Sequence, residues 1–151
     1  MRLTTRTNLA MRVLMFCAVH KDQVVKKADI AQACRAKETH IAQVVNLLAQ
    51  KGYLTTTRGR GGGIELAREA EAINVGEVIR AFESPIAFAE CFHGAENTCP
   101  LVPACRLKSA LSAALGAFYG TLDSLTLEDL VHGNEPLKAL LLDPPEDRFA
   151  A

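Results

Sequence analysis

Residues 27–66 read KADIAQACRAKETHIAQVVNLLAQKGYLTTTRGRGGGIEL. From Lys27 to Cys34 the stretch has the length of a short helix, with Ile30, Ala31 and Cys34 on its inward side. Arg35-Ala36-Lys37-Glu38 is a short polar connection. From about Thr39 to Lys51, the residues Ile41, Val44, Val45 and Leu48 recur at the offsets that mark one helix face. Gly52 follows where a C-terminal cap belongs. Two helices joined by three to four residues predict a helix-turn-helix. Tyr53–Thr57 is rich in β-branched and aromatic residues and predicts a strand. Arg58–Gly63 is a loop that holds four of the chain's ten glycines, which predicts a hairpin tip with positive φ angles. Ile64-Glu65-Leu66 alternates and reads as the return strand. The order predicts a winged helix-turn-helix, and hence a mainly α fold class with a small β-hairpin wing.

Working outward, a first helix is expected from about Thr7 to Val19, with Leu9, Val13, Phe16 and Cys17 on one apolar stripe. Cys17 on that stripe reads as a small core residue. His20 to Gln23 breaks the pattern. Beyond the wing, Asn74-Val75-Gly76-Glu77 reads as a helix start capped by Asn74. That helix carries Val78, Ile79, Ala81 and Phe82 and ends before Pro85. A loop from Cys91 to Cys105 follows. Then a long helix runs from about Leu107 to Leu122, with Leu107, Ala110, Leu111, Ala114, Leu115, Phe118 and Leu122 on its apolar face. Ala113 and Ala117 widen that face, which predicts a symmetric homodimer, burial against its own domain being the alternative. Thr126 to Asp129 reads as another helix start, and the Pro144-Pro145 tail as frayed. The expected organisation is a winged-helix domain over 1–84 and a cysteine loop over 85–106. The dimerisation and C-terminal helices take 107–142, and the tail takes 143–151.

The net charge is zero, with 17 basic and 17 acidic residues, which at face value argues against nucleic acid. Its distribution argues the other way. Residues 1–60 carry eleven Lys and Arg against three acids, and residues 61–151 carry six against fourteen, so the halves are +8 and −8. A basic part joined to a part with another task is the expected meaning. No run approaches the roughly 18 apolar residues of a membrane span. The segment after Met1–Arg6 keeps Asn8, Arg12 and His20, which does not suit a signal peptide. A cytoplasmic location is expected.

The predicted recognition helix would present Thr39, His40, Gln43 and Asn46 to base edges in the major groove of double-stranded operator DNA. Lys26, Lys27, Arg35 and Lys37 are placed for phosphates. Arg58 and Arg60 at the wing tip can reach phosphates or the minor groove. A nucleotide-cradling role for the glycine loop is disfavoured. It has no Gly-Lys-Ser/Thr ending, and Ile64 stands where a dinucleotide fingerprint wants its third glycine. No nucleophile–base arrangement suggests an enzyme.

Three of the five cysteines, Cys91, Cys99 and Cys105, fall within fifteen residues, at gaps of seven and five. An odd cysteine count without a secretory signal disfavours a disulfide framework. Three soft donors in a nearly uncharged loop suit an iron–sulfur cluster or zinc. Zinc would take Cys91, His93, Cys99 and Cys105, though the close Cys-x2-Cys pair usual in zinc sites is missing. A structural zinc protein that senses nothing, and three unmetallated thiols, are the remaining alternatives.

Met1-Arg2-Leu3-Thr4, the Arg58–Gly63 segment and the cysteine trio together resemble the Rrf2-type winged-helix regulators, over about residues 1–142. Ala104–Lys108 and Glu135–Leu142 look most like the nitric-oxide-sensing NsrR branch. The resemblance implies a homodimer with one cluster per subunit on Cys91, Cys99 and Cys105, of the 4Fe-4S type with 2Fe-2S as alternative. It also implies a dimer helix after the loop. NsrR proteins often carry Asp where this chain has Asn8, a position that can ligate the cluster of the second copy. Asn8 and the seven-residue gap resemble the iron-responsive RirA branch better. The fourth ligand is therefore open among Asn8, His93, Glu90, Glu96, water or a small thiol. The expected function is a cluster-dependent repressor that releases its operator on nitric oxide exposure, or on iron loss.

Overall fold

The computed structural model of the chain describes residues 3–83, 89–92, 94 and 97–143. Its helices are α1 (Thr5–Val19), α2 (Lys27–Ala33), α3 (Glu38–Gln50), α4 (Val75–Glu83), α5 (Arg106–Asp123), α6 (Leu127–Val131) and α7 (Glu135–Leu142). Strands β1 (Leu54–Thr56) and β2 (Ile64–Leu66) form one antiparallel pair. Pro85, His93, Glu96, the Pro144-Pro145 tail and the start Met1-Arg2, all singled out above, lie outside the described residues.

Helix α1 begins at Thr5, two residues before the expected start at Thr7, because Thr4 caps it: the Thr7 N–H donates to Thr4 Oγ1 at 3.2 Å. The stripe is buried as its spacing demands, and Ala10, Val13 and Leu14 are fully enclosed at the centre. Ile30 and Ala31 of α2, and Ile41, Val44, Val45 and Leu48 of α3, close on it from one side. Each such aliphatic side chain contributes about 1.5–3 kcal/mol on burial. Cys17 and Cys34 belong to this core. Burial, with Cys34 nearby, pushes the Cys17 thiol up to about 12, so folding favours its protonated form. That contribution is whole below the ordinary value of 9.0 and is lost as the pH rises toward about 12.

Gly52, at φ 74°, ends α3 and turns the chain into the wing. In the wing Leu54 faces Leu66, Thr55 faces Glu65 and Thr56 faces Ile64. The hairpin does not stand alone. Val25 and Ile64 exchange both backbone hydrogen bonds, at 2.9 and 2.8 Å, so the segment before α2 adds a one-residue third strand. The polar run at 20–23 gives no hint of that bridge.

After the wing, α4 packs Val78 and Phe82 against the same core. Asn74 caps it, with Oδ1 accepting the Glu77 N–H at 3.0 Å. Helix α5 packs on α4, yet none of its eighteen residues is buried, and Leu107 is 64% exposed. The chain then returns. The Leu127 N–H donates to Ile73 O at 2.8 Å, and Leu127 and Val131 of α6 seat themselves on α1. Helix α6 has the reciprocal Thr126–Asp129 capping box, with Thr126 Oγ1 accepting the Asp129 N–H. Helix α7, capped by Asn134, lies across α1 and α2. No helix among the described residues is long and apolar enough to cross a membrane.

Candidate nucleic-acid interface and cysteine loop

Because Ile41, Val44, Val45 and Leu48 point inward, the 3.6-residue period forces Thr39, His40, Gln43 and Asn46 outward, and all four are exposed. Lys37 is the N-cap of α3, and Arg35 turns the chain with φ 48°. Lys26, the N-cap of α2, and Lys27, its first residue, are exposed. Lys27 is partly spoken for, since its ammonium lies 3.4 Å from Glu38 Oε2. The face is therefore polar at the recognition helix and basic at its approach, as a major-groove reader needs.

The wing tip is built by its glycines. Gly59 and Gly61 take φ 99° and 85°, and the Gly62 N–H closes the turn on Gly59 O at 3.1 Å. Arg58 before them and Arg60 between them are exposed. At the base of the tip a Cβ on Gly63 would stand 2.5 Å from Val25 O and 2.6 Å from Val24 Cγ1. Gly63→Ala is therefore expected to destabilise the fold by about 1–3 kcal/mol, by prising the wing from Val25. A shifted denaturation midpoint would register it, and an unchanged midpoint would contradict the packing described here.

Beside the recognition helix lies a groove of about 620 Å³ lined by Thr5, Asn8, Arg12, Arg35, Lys37 and His40, among others. Asn8 is thus exposed on α1, next to the basic turn. Arg12, not expected among the DNA-facing residues, lines the same groove and donates from Nη1 to Cys34 O at 3.2 Å, tying α1 to the end of α2. Its signal was present as a basic residue at the edge of the Leu9–Val13 stripe, one turn from Leu9. Glu83 was also missed. Its carboxylate accepts the Thr4 N–H at 2.7 Å, joining the last turn of α4 to the start of α1. Burial alone would raise that carboxyl, but hydrogen bonds from Thr7 and Thr4 outweigh it and hold it below its usual range.

Cys91, Cys99 and Cys105 are free and half-buried. Cys91 sits in a short 3-10 turn, Glu90–Phe92. Glu90 Oε1 accepts from the Thr98 hydroxyl at 2.6 Å and from its N–H at 3.3 Å, clipping the residue before Cys91 to the residue before Cys99. Glu90 is thereby engaged within the loop. Cys105 is the N-cap of α5, its sulfur accepting the Lys108 N–H at 3.4 Å. Among the described residues, no three of His, Cys, Asp and Glu are gathered closely enough to hold a metal ion. The clip draws two cysteine-bearing turns together, while Cys105 is held by its helix. As donors the three fit a soft metal centre: thiols in one loop, reachable by solvent, with one at a helix N-terminus, where negative charge is favoured.

Residues 3–133 match the Rrf2 family, described as iron-dependent transcriptional regulators. The chain is 40% identical to the HTH-type transcriptional regulator NsrR of Bacillus licheniformis, over 93% of this chain and 99% of that protein. Among solved structures, T. potens IscR superposes with a TM-score of 0.70 at 25% identity, over 87% of this chain and 86% of that one. CymR, the global cysteine regulator of B. subtilis, superposes with a TM-score of 0.67 at 27% identity, over 87% and 96%. A winged helix with an exposed polar recognition face, matched to these proteins over most of its length, is no enzyme: this chain belongs to the Rrf2 family and is a DNA-binding transcriptional regulator of the NsrR type.

Proposed function

We propose that the chain is a homodimeric repressor whose operator affinity is set by an iron–sulfur cluster held by Cys91, Cys99 and Cys105, with nitric oxide as its signal. The observation that carries this reading is one short chain in which three free, half-buried thiols fall in one loop, the last of them, Cys105, caps α5, and α5 packs on α4 of a winged helix with an exposed polar face. The bound cluster, 4Fe-4S in this reading, would supply iron reactive toward nitric oxide. The chain's residues do the rest. Cys105 would present its sulfur at the head of α5, where it accepts the Lys108 N–H. Helix α5 offers its apolar stripe to a second copy, consistent with the lack of any buried residue along it. Lys26, Lys27, Arg35 and Lys37 hold phosphates, and Thr39, His40, Gln43 and Asn46 read bases. Arg58 and Arg60 follow the backbone beside the wing. Two recognition helices must then stand about 34 Å apart to enter successive major grooves.

Release needs only a modest change. A binding penalty of about 3 kcal/mol weakens occupancy more than a hundredfold. Iron-responsive release is a second reading, favoured by the neutral Asn8 on the exposed side of α1, since an amide is a poorer iron ligand than a carboxylate. Anaerobic titration of the loaded protein with nitric oxide, and separately with an iron chelator, tests both against operator binding. Loss of binding at low nitric oxide, with slow response to chelator, is expected. The reverse order selects the iron reading. A colourless, metal-loaded protein would overturn both in favour of structural zinc.

A further inference from the structure

We infer that Arg80 is a positioning residue that clamps the end of α5 to α4, so that the two helices turn as one body and the state of the cysteine loop reaches the winged helix. The inference rests on the cluster-dependent reading above.

Arg80 meets both carboxylate oxygens of Asp123, at 2.5 and 2.6 Å. Its guanidinium also lies over the Tyr119 ring, 4.4 Å from the centroid. Tyr119 and Asp123 are one turn apart, so a single side chain fixes both the position and the roll of the last turn of α5. The backbone around the pair is locked as well. Asn74 Nδ2 donates to Asp123 O at 2.7 Å and to Leu125 O at 3.3 Å. The Val75 N–H donates to Leu125 O at 3.0 Å. Gly76 lies so close to the Asp123 carboxylate that any Cβ there would collide with it.

The other end of α5 is the Cys105 end. Eighteen helical residues span about 27 Å and the nine of α4 about 13 Å, so α5 overhangs its support. A displacement of about 3 Å at Cys105 is then a rotation of about 6° about the clamp. A loose joint would absorb that rotation in the Ser124–Thr126 turn. The clamp instead passes it to α4, whose Val78 and Phe82 are seated in the core and whose Glu83 holds the N–H of Thr4. Arg80 and Asp123 are each 43% exposed. Exposed ion pairs add little to stability, so positioning accounts for this geometry better than holding the fold together does.

The test compares wild type, Arg80→Ala, Arg80→Lys and the reversed pair Arg80→Asp with Asp123→Arg. Operator Kd is measured for each full-length protein with and without its cluster. Wild type is expected to show a loaded-to-unloaded affinity ratio well above one. Arg80→Ala should lower the loaded affinity about tenfold and leave the unloaded affinity unchanged, with the reversed pair restoring most of the ratio. Arg80→Lys, which keeps the charge and loses the fork, should fall between. Faster amide exchange at Val75 and Leu127 in cluster-free Arg80→Ala is the expected readout that needs no cluster. An unchanged ratio in Arg80→Ala and Arg80→Lys overturns the clamp alone. A wild-type ratio of one overturns the cluster-dependent reading and the clamp with it.

Discussion

Replacing any one of Cys91, Cys99 or Cys105 by serine is expected to abolish the visible absorbance of anaerobically purified protein, and to weaken operator binding more than a hundredfold. Serine keeps the size of the side chain but exchanges a soft, ionisable sulfur for a hard hydroxyl, and iron–sulfur centres select sulfur. The three positions are not equivalent in the free chain. Cys91 and Cys99 follow the clipped Glu90–Thr98 pair, whereas Cys105 is fixed at the head of α5. Cys105→Ser should nevertheless keep the helix start, because a serine hydroxyl caps well. Its defect would therefore be in metal retention and not in folding, as circular dichroism would show. Cys17→Ala is the control. It sits in the core, away from solvent, and should keep colour and operator binding. A Cys99→Ser protein that stays coloured and binds its operator normally would remove Cys99 from the ligand set.

Leu127→Ala is expected to destabilise the protein by about 3 kcal/mol, within the 2–5 kcal/mol typical of a fully buried leucine. Leu127 has no exposed surface, and its N–H is bonded to Ile73 O at 2.8 Å, so the neighbours cannot simply collapse into the space. Chemical denaturation at fixed protein concentration measures the loss. A change under 1 kcal/mol would mean that α6 does not belong to the core of the winged helix.

That second result probes the part of the fold least visible in the sequence. The helix-turn-helix and wing were legible because local rules suffice there: a 3.6-residue apolar period in α3, a glycine stop at Gly52 and alternation in Ile64-Glu65-Leu66. The helix start at Thr126 was equally legible, from its capping pair with Asp129. Where α6 would go was not. Contact between Leu127 and α1, more than a hundred residues apart in sequence, is decided by the global packing of apolar faces, and periodicity carries no address. The Val25–Ile64 bridge escaped for a related reason, since a one-residue strand has no period to detect. For the site, the residue types of the cysteine loop could be named, but the Glu90–Thr98 clip and the Cys105 cap that position them could not. The roles of Arg80 and Glu83 depend on partners 43 and 79 positions away.

The sulfur of Cys105 has two claims on it. It accepts the Lys108 N–H at the head of α5, and in the proposed repressor it would also bind iron. Losing that acceptor would therefore remove a cap as well as a ligand, and the first turn of a helix is where fraying starts. One lost turn shortens α5 by about 5 Å, and that turn carries Leu107, the most exposed leucine of the helix. In the proposed homodimer, how much apolar surface the helix offers to a second copy would thus depend on a hydrogen bond accepted by one atom.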